Sequence, residues 1–326
     1  MALPPSARSP SVRHSLPPGS PVPVPQPLPP VPLPIPEPRE SGYTTTTDVP
    51  LYWARWGPAG RSPILVLHGG PGAHHDYLLP QMLELADGHD LLFYDQRGGG
   101  RSRTDDPRPV TWRTQVDDLA RVVVEFGLDP LTVLGYSWGG LLALLYALDA
   151  VRNTALPHPR RMMLVSPAPI SRPLRDTFER ELAERQRQPV IQELRAELAA
   201  SGLRERDPDA YRQRAFELSV AGYFADPRRA TDLTPFRVTG RVQQSVWESL
   251  AHFDLADDLE TVRCPGIVVH GLQDPIPVES SRIAARQLGV KLVELDDCGH
   301  VPYVERPDRL FAELRGFLEE TEGLAG

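Results

Sequence analysis

Six short, mainly apolar runs punctuate the chain: "ILVL" at 64 to 67, "DLLFYD" at 90 to 95, "LTVLG" at 131 to 135, "RMMLVS" at 161 to 166, "GIVVHG" at 266 to 271 and "KLVELD" at 291 to 296. A strand with water on one face alternates apolar and polar residues. A continuous apolar run instead suits a strand covered on both faces, the kind that builds parallel sheets. Between the runs lie helical periods, at 77 to 86, 112 to 126, 141 to 150, 280 to 288 and 307 to 318. Ahead of them, "YTTTTDVPLYWARWG" reads as two β runs broken at Asp48-Val49-Pro50. Strand and helix therefore alternate, and the fold class expected is α/β: a mostly parallel central sheet with helices on both faces and ligand sites at the carboxyl ends of the strands.

One segment breaks the alternation. Residues 169–251 carry no strand pattern and read as several helices, an insertion placed after the 161 to 166 run where it would cap the strand ends. Its stretch "RPLRDTFERELAERQRQPVIQELRAELAASG" mixes both charge signs at close spacing, the pattern of a solvated helical face. The core is then expected from 41–168 and 252–326. Residues 1–40, with proline at nearly every second position in "PPGSPVPVPQPLPPVPLPIPEP", read as a disordered leader that samples polyproline II. The prolines argue against a secretory signal or a transit helix, and a solvated leader or a mis-assigned start outranks a ligand for an SH3-like partner. Deleting 1–40 is expected to leave stability and turnover nearly unchanged.

A formal net charge of -8 argues against a protein that coats nucleic acid or an anionic membrane. Arginine supplies nearly every cation, with Lys291 the single lysine, and we read no partner from that bias. No apolar run approaches the ~18 residues of a membrane span. Two cysteines, Cys264 and Cys298, make neither a disulfide framework nor a metal cluster, so a reducing, cytoplasmic setting is expected. No cofactor and no metal are called for, and nothing in the sequence specifies an oligomeric state.

The chemistry gathers around "LGYSWGG" at 134 to 140. An apolar run passing into a helix with almost no loop must bend sharply, and Gly135 and Gly139 remove the Cβ atoms that would collide there, leaving Ser137 at the apex. A serine hydroxyl needs a base, and the base needs a carboxylate to orient it. Asp274 lies three residues beyond the "GIVVHG" run and His300 four residues beyond Asp296, so the chain order is Ser137, Asp274, His300, each after a strand. That is the order of an α/β-hydrolase triad. Acyl transfer also needs two backbone N–H groups for the developing oxyanion. Trp138, following the nucleophile, supplies one; "HGGPG" after the first run supplies the other, assigned to Gly70.

"HGGPG", "DQRGGGRS" (95 to 102), "GYSWGG", "GLQDPIP" and "CGHVPYVERP" together resemble the proline iminopeptidase group of α/β-hydrolases over about residues 42 to 168 and 252 to 326. The resemblance implies Ser137, Asp274 and His300 as the triad and Gly70 and Trp138 as oxyanion donors. It also implies a substrate class, peptides or amides with a free N-terminal residue, often proline. In that family cap acids hold the substrate's ammonium, and Glu217 and Glu248 are the candidates by type. A carboxylesterase or other small-ester or amide hydrolase with the same triad is the alternative, and a non-catalytic adaptor displaying the proline-rich leader is the third reading. Haloalkane dehalogenases and epoxide hydrolases place an aspartate where Ser137 stands.

Several other features read as structural. Asp95 is expected to hold the "QRGGGRS" loop, and His68 to support the oxyanion loop. "GGGRS" lacks the Gly-Lys-Ser/Thr ending of a phosphate loop. "HHD" at 74 to 76 reads as a polar loop or helix start rather than a metal site. Cys298 reads as a small buried residue.

Overall fold

The computed structural model describes residues 34–60 and 63–322. Eight strands form one sheet in the order β1-β2-β4-β3-β5-β6-β7-β8. They are β1 (Glu40–Tyr43), β2 (Tyr52–Trp56), β3 (Ile64–Leu67), β4 (Leu91–Tyr94), β5 (Leu131–Tyr136), β6 (Pro159–Val165), β7 (Gly266–Gly271) and β8 (Lys291–Leu295). The first two are antiparallel; β3 to β8, the six apolar runs, pair in parallel. Ten α-helices complete the described residues: α1 (Trp112–Glu125), α2 (Trp138–Arg152), α3 (Arg172–Arg185), α4 (Pro189–Ala200), α5 (Leu203–Arg206), α6 (Pro208–Val220), α7 (Gly240–Ser249), α8 (Val278–Leu288), α9 (Pro302–Glu305) and α10 (Pro307–Glu322).

The strands are apolar throughout because each face has its own core. Leu65 and Leu67 point into a cluster with Val116 and Leu119 of α1, Leu141 and Leu144 of α2 and Ala284 of α8. Their neighbours Ile64 and Val66 point the other way, toward Leu310, Phe311 and Leu314 of α10. Successive side chains alternate sides of a strand, so two covered faces require apolar residues at every position. The helix expected over 77 to 86 is instead two 3₁₀ turns, His75–Leu78 and Gln81–Leu85. Pro80 separates them: it has no N–H to donate and disfavours helical geometry at Leu79.

Between β6 and β7, residues 169–251 form α3 to α7 with intervening 3₁₀ turns. Both ends of this stretch are tied to the sheet and its helices: the Ile170 N–H donates to Ser280 Oγ (3.1 Å), and Ser249 Oγ accepts the Trp112 N–H (2.9 Å). Among the described residues no helix is long and apolar enough to cross a membrane.

Of the stretch read as a leader, residues 1–33 lie outside the described residues. The remainder is attached. Trp56 Nε1 donates to the Pro36 carbonyl (3.0 Å), the Arg39 N–H donates to the Arg55 carbonyl (2.8 Å), and Glu40 is already paired with Arg55 in β1. These bonds change the expectation for truncation. A chain beginning at residue 41 should melt about 2–4 °C below one beginning at residue 34, the effect of about 1 kcal/mol in a domain of this size. Equal melting temperatures for the two truncations would show that the bonds add nothing.

Candidate active site

Parallel pairing brings the carboxyl ends of β3, β5, β7 and β8 to one edge of the sheet, and the sequence-predicted residues follow those ends. Ser137 sits between β5 and α2 with φ 53° and ψ −119°, a conformation that costs a non-glycine residue on the order of 1–3 kcal/mol. The surroundings enforce it. The Ser137 N–H donates to the Val165 carbonyl (3.0 Å), and the Ser137 carbonyl accepts from Gly140 N (2.9 Å) and Ala168 N (2.9 Å). A Cβ on Gly139 would run into the Leu67 carbonyl, so only glycine lets the first turn of α2 lie this close behind β3.

The elbow meets two other loops. His300 Nε2 lies 2.9 Å from Ser137 Oγ, and His300 Nδ1 lies 2.8 Å from Asp274 Oδ2. Asp274 is buried, and its other oxygen accepts the Ile276 N–H at 2.7 Å. A second imidazole, His270, stands 3.6 Å from Asp274 Oδ2. Burial lowers its pKa. Its Nε2 faces the Ile276 carbonyl (3.1 Å) and its Nδ1 the Ser281 hydroxyl (2.8 Å). A neutral ring protonated on Nε2 satisfies both, so His270 does not compete with His300 for the carboxylate. Asp297, three residues before His300, points to solvent and pairs with Arg306 (3.0 Å).

Gly70, in the left-handed region at φ +61°, and Trp138 both line the cavity above Ser137. Trp138 opens α2, where a helix leaves its first N–H groups without an intrahelical acceptor. Gln96 ties these parts together: its Oε1 accepts from Trp138 Nε1 (2.8 Å), its Nε2 donates to the His68 carbonyl (2.8 Å), and its backbone N–H donates to His68 Nε2 (3.0 Å). The sequence reading left Gln96 without a role, although it stood inside a quoted motif. Asp95 beside it accepts from the His75 N–H (3.0 Å), His75 Nδ1 (2.6 Å) and the Arg101 N–H (2.9 Å), holding the glycine-rich loop. Burial would raise its carboxyl, but these donors hold it well below the usual range.

His68 is fully buried, and desolvation lowers its pKa from 6.5 to about 4. Its Nδ1 faces the Gly69 carbonyl (2.8 Å) while Nε2 accepts from Gln96, so a second proton would oppose two N–H groups. The unfolded chain takes up that proton near pH 6.5 and the folded one only near pH 4. Stability is therefore complete above pH 6.5 and falls as the pH drops toward 4, by up to about 3 kcal/mol. His68→Gln, which keeps an acceptor for Gln96, should flatten this part of the curve when denaturant melts are compared across pH 4 to 7. A slope identical to that of the unaltered protein would assign the acid lability to another group.

The cavity has two lobes that meet at Ser137, Gly70, Tyr223, Gln243 and His300. The larger, of about 670 Å³, is walled by Arg172, Arg175, Phe178 and Glu179 of α3 and by Trp247 and Glu248 of α7. The smaller, of about 330 Å³, is apolar and aromatic, with Tyr77, Tyr136, Val220, Phe224, Phe236 and Tyr303. The α3 residues were read from sequence as a solvated face. Arg175 Cζ in fact lies over the Trp247 ring, 3.6 Å from its centroid, and the guanidinium pairs with Glu179 at 2.6 Å. Their spacing of three and four residues was the available signal, hidden by the other charges of the helix.

The two candidate cap acids are placed apart. Glu248 lines the larger lobe but is exposed and accepts from Gln244 Nε2 (2.7 Å). Glu217 is buried yet lines neither lobe. Its oxygens are taken by Gln213 (3.0 Å) and Arg214 (2.8 Å), four and three residues back on α6, so its burial reflects pairing along its own helix. Cys298 is buried beside the His300 loop, and burial first, then Glu305 and Asp274, push its thiol up, away from thiolate chemistry. His74 and His75 both approach Asp76 (3.5 and 3.3 Å), but its carboxylate also pairs with Arg101 at 2.7 Å and His75 Nδ1 bonds Asp95, so these side chains are spent on one another and on the glycine-rich loop. Among the described residues no group of three or more His, Cys, Asp or Glu side chains is placed to hold a metal ion.

Residues 64–314 match the model of the alpha/beta hydrolase family. The chain is 25% identical over 323 residues to a proline iminopeptidase of Saccharolobus solfataricus, covering 87% of this chain and 94% of that one. A proline iminopeptidase of Lactobacillus crispatus is 26% identical over 280 residues, 80% of this chain and 91% of its own. Among solved structures, the proline iminopeptidase of Mycobacterium smegmatis superposes with a TM-score of 0.62 at 23% identity, over 88% of this chain and 100% of that one.

Proposed function

The chain belongs to the alpha/beta hydrolase family, and on that premise we propose a serine hydrolase that releases N-terminal residues from short peptides through an acyl-enzyme on Ser137. The observation that carries this reading is the continuous relay at the cavity floor, Ser137 Oγ to His300 Nε2 at 2.9 Å and His300 Nδ1 to Asp274 Oδ2 at 2.8 Å. Ser137 Oγ attacks the scissile carbonyl carbon as its proton passes to His300 Nε2. Asp274, which accepts from the Ile276 N–H and the His300 Nδ1–H, stabilises the imidazolium, and the Gly70 and Trp138 N–H groups receive the oxyanion. The imidazolium proton then goes to the leaving amine as the C–N bond breaks. A water, deprotonated by His300, cleaves the ester and restores Ser137.

We take residues 169–251 as the cap and residues 41–168 and 252–326 as the catalytic core, because α3, α6 and α7 contribute walls around Ser137. The aminopeptidase assignment is supported by the family resemblance and by relatives named proline iminopeptidase that align along most of the chain. An ammonium taken out of water needs a carboxylate, and Glu248 and Glu179 offer one on the wall of the larger lobe. Glu248→Gln is expected to lower kcat/KM for proline naphthylamide at least about tenfold, ~1.4 kcal/mol, and to spare p-nitrophenyl acetate. Glu217→Gln, away from the cavity, is expected to leave both unchanged. Equal loss on both substrates in Glu248→Gln would assign that residue to packing instead.

A carboxylesterase is the second reading, favoured by one observation: the smaller lobe brings no carboxylate to Ser137 among its lining residues. The two readings separate on the unaltered protein. Ester turnover without cleavage of proline naphthylamide would sink the peptidase, while a folded protein that takes no fluorophosphonate label at Ser137 would leave only the non-catalytic adaptor. A cytoplasmic setting remains part of the proposal, resting on two free cysteines.

A further inference from the structure

The relay needs the His300 ring held to within a few tenths of an ångström between two partners, yet His300 stands on a loop, Cys298 to Val301, with no regular structure of its own. What fixes that loop is mostly outside the triad. The His300 carbonyl accepts from the Tyr136 hydroxyl (3.0 Å), and the His300 N–H donates to the carbonyl of Tyr223, a cap residue, at 2.7 Å. On either side of His300, the Gly299 N–H (2.8 Å) and the Val301 N–H (3.4 Å) both donate to Oε2 of Glu305.

Glu305 is 4% exposed, and its other oxygen, Oε1, accepts the N–H of Ala225 at 2.8 Å, again from the cap. Arg229 of the cap closes the same corner by donating to the backbone carbonyls of Glu305 (3.1 Å) and Val304 (2.8 Å). The fit is tight enough that a Cβ on Gly299 would collide with the Tyr223 carbonyl. Tyr223 in turn lines both lobes of the cavity, and its ring lies 5.2 Å from that of His300. One buried carboxylate thus joins the base-bearing loop to the cap segment that touches substrate.

From this geometry we propose that Glu305 is a positioning residue: it holds the His300 imidazole in line with Ser137 and couples that alignment to the seat of the cap. The proposal rests on Ser137 and His300 acting as nucleophile and base, as read above. A glutamine of the same shape keeps one acceptor oxygen but turns an NH₂ group toward a backbone N–H, so either the cap contact or the loop contact is lost. A misplacement of about 1 Å at a reacting group costs about 10²-fold.

The test uses the full chain and two reactions that are indifferent to peptide specificity, hydrolysis of p-nitrophenyl acetate and fluorophosphonate labelling of Ser137. Glu305→Gln should lower kcat and the labelling rate constant by the same factor, at least tenfold, with KM within about threefold. Glu305→Asp, which keeps the charge on a shorter arm, should recover part of the loss. Arg229→Met, which removes the cap's grip without touching the carboxylate, should lower kcat by a smaller factor at unchanged KM. A labelling rate within twofold of the unaltered protein in Glu305→Gln, whatever happens to its melting temperature, would overturn the positioning role. If Glu305→Gln does not fold, unchanged kcat in Arg229→Met overturns it. An unaltered chain that takes no label would instead sink the Ser137 reading itself, and the positioning role with it, so the two failures are told apart.

Discussion

Ser137→Ala is expected to abolish hydrolysis, with a loss in kcat on the order of 10⁴- to 10⁶-fold, while the protein folds and melts as before. The hydroxyl sits on a partly exposed elbow and bonds His300, so removing it exposes little and leaves His300 Nε2 facing the cavity, where water can take the place of the hydroxyl. The strained backbone stays, because alanine at φ 53° carries the same Cβ as serine. His300→Ala should lose a similar amount, and the double variant little more than either single one, since nucleophile and base act as a unit. Steady-state kinetics with p-nitrophenyl acetate on all three variants check this. Losses that multiply would mean that the two residues act in separate steps.

Asp274→Asn should lower kcat on the order of 10⁴-fold with little change in fold. An amide at this position can offer His300 Nδ1 an NH₂ group in place of a carboxylate oxygen, which selects the tautomer with its proton on Nε2, facing Ser137. That ring cannot take the serine proton. Asp297 lies only three residues from His300 in sequence, and were it to orient the imidazole instead, the loss would be smaller. The structure removes that route, because Asp297 is turned to solvent with Arg306 and the neutral His270 is no substitute for an anion. A loss under about tenfold in Asp274→Asn would mean that another carboxylate reaches His300 in solution.

The parts of this protein that could be read directly from its residues are those governed by short windows of chain. Six apolar runs imply six strands covered on both faces, because the two-residue period of a strand leaves no polar position when both sides are packed. "GYSWGG" implies the elbow because only glycine permits that approach of helix to strand, and the members of the relay follow the strand ends in order. Local chemistry also has local exceptions: Pro80 splits the expected helix over 77 to 86 into two 3₁₀ turns.

Tertiary structure decided which side chains look into the cavity and what holds the loops there. The helix α3 has only a narrow apolar stripe, Leu174, Phe178 and Leu182, with charges on either side, so nothing in sequence marks Arg175 and Glu179 as the charges that line the cavity. Glu217 and Glu248 are alike in sequence, each set among apolar neighbours, yet one is spent on Arg214 along its own helix and the other reaches the lobe wall. Glu305 and Gln96 leave even less trace, because Glu305 answers to backbone N–H groups and Gln96 in part to a backbone carbonyl, groups that nearly every residue carries. A side chain whose partners are backbone atoms far along the chain has no complementary residue to betray it, and only the packing of the insertion against the sheet brings those atoms within reach.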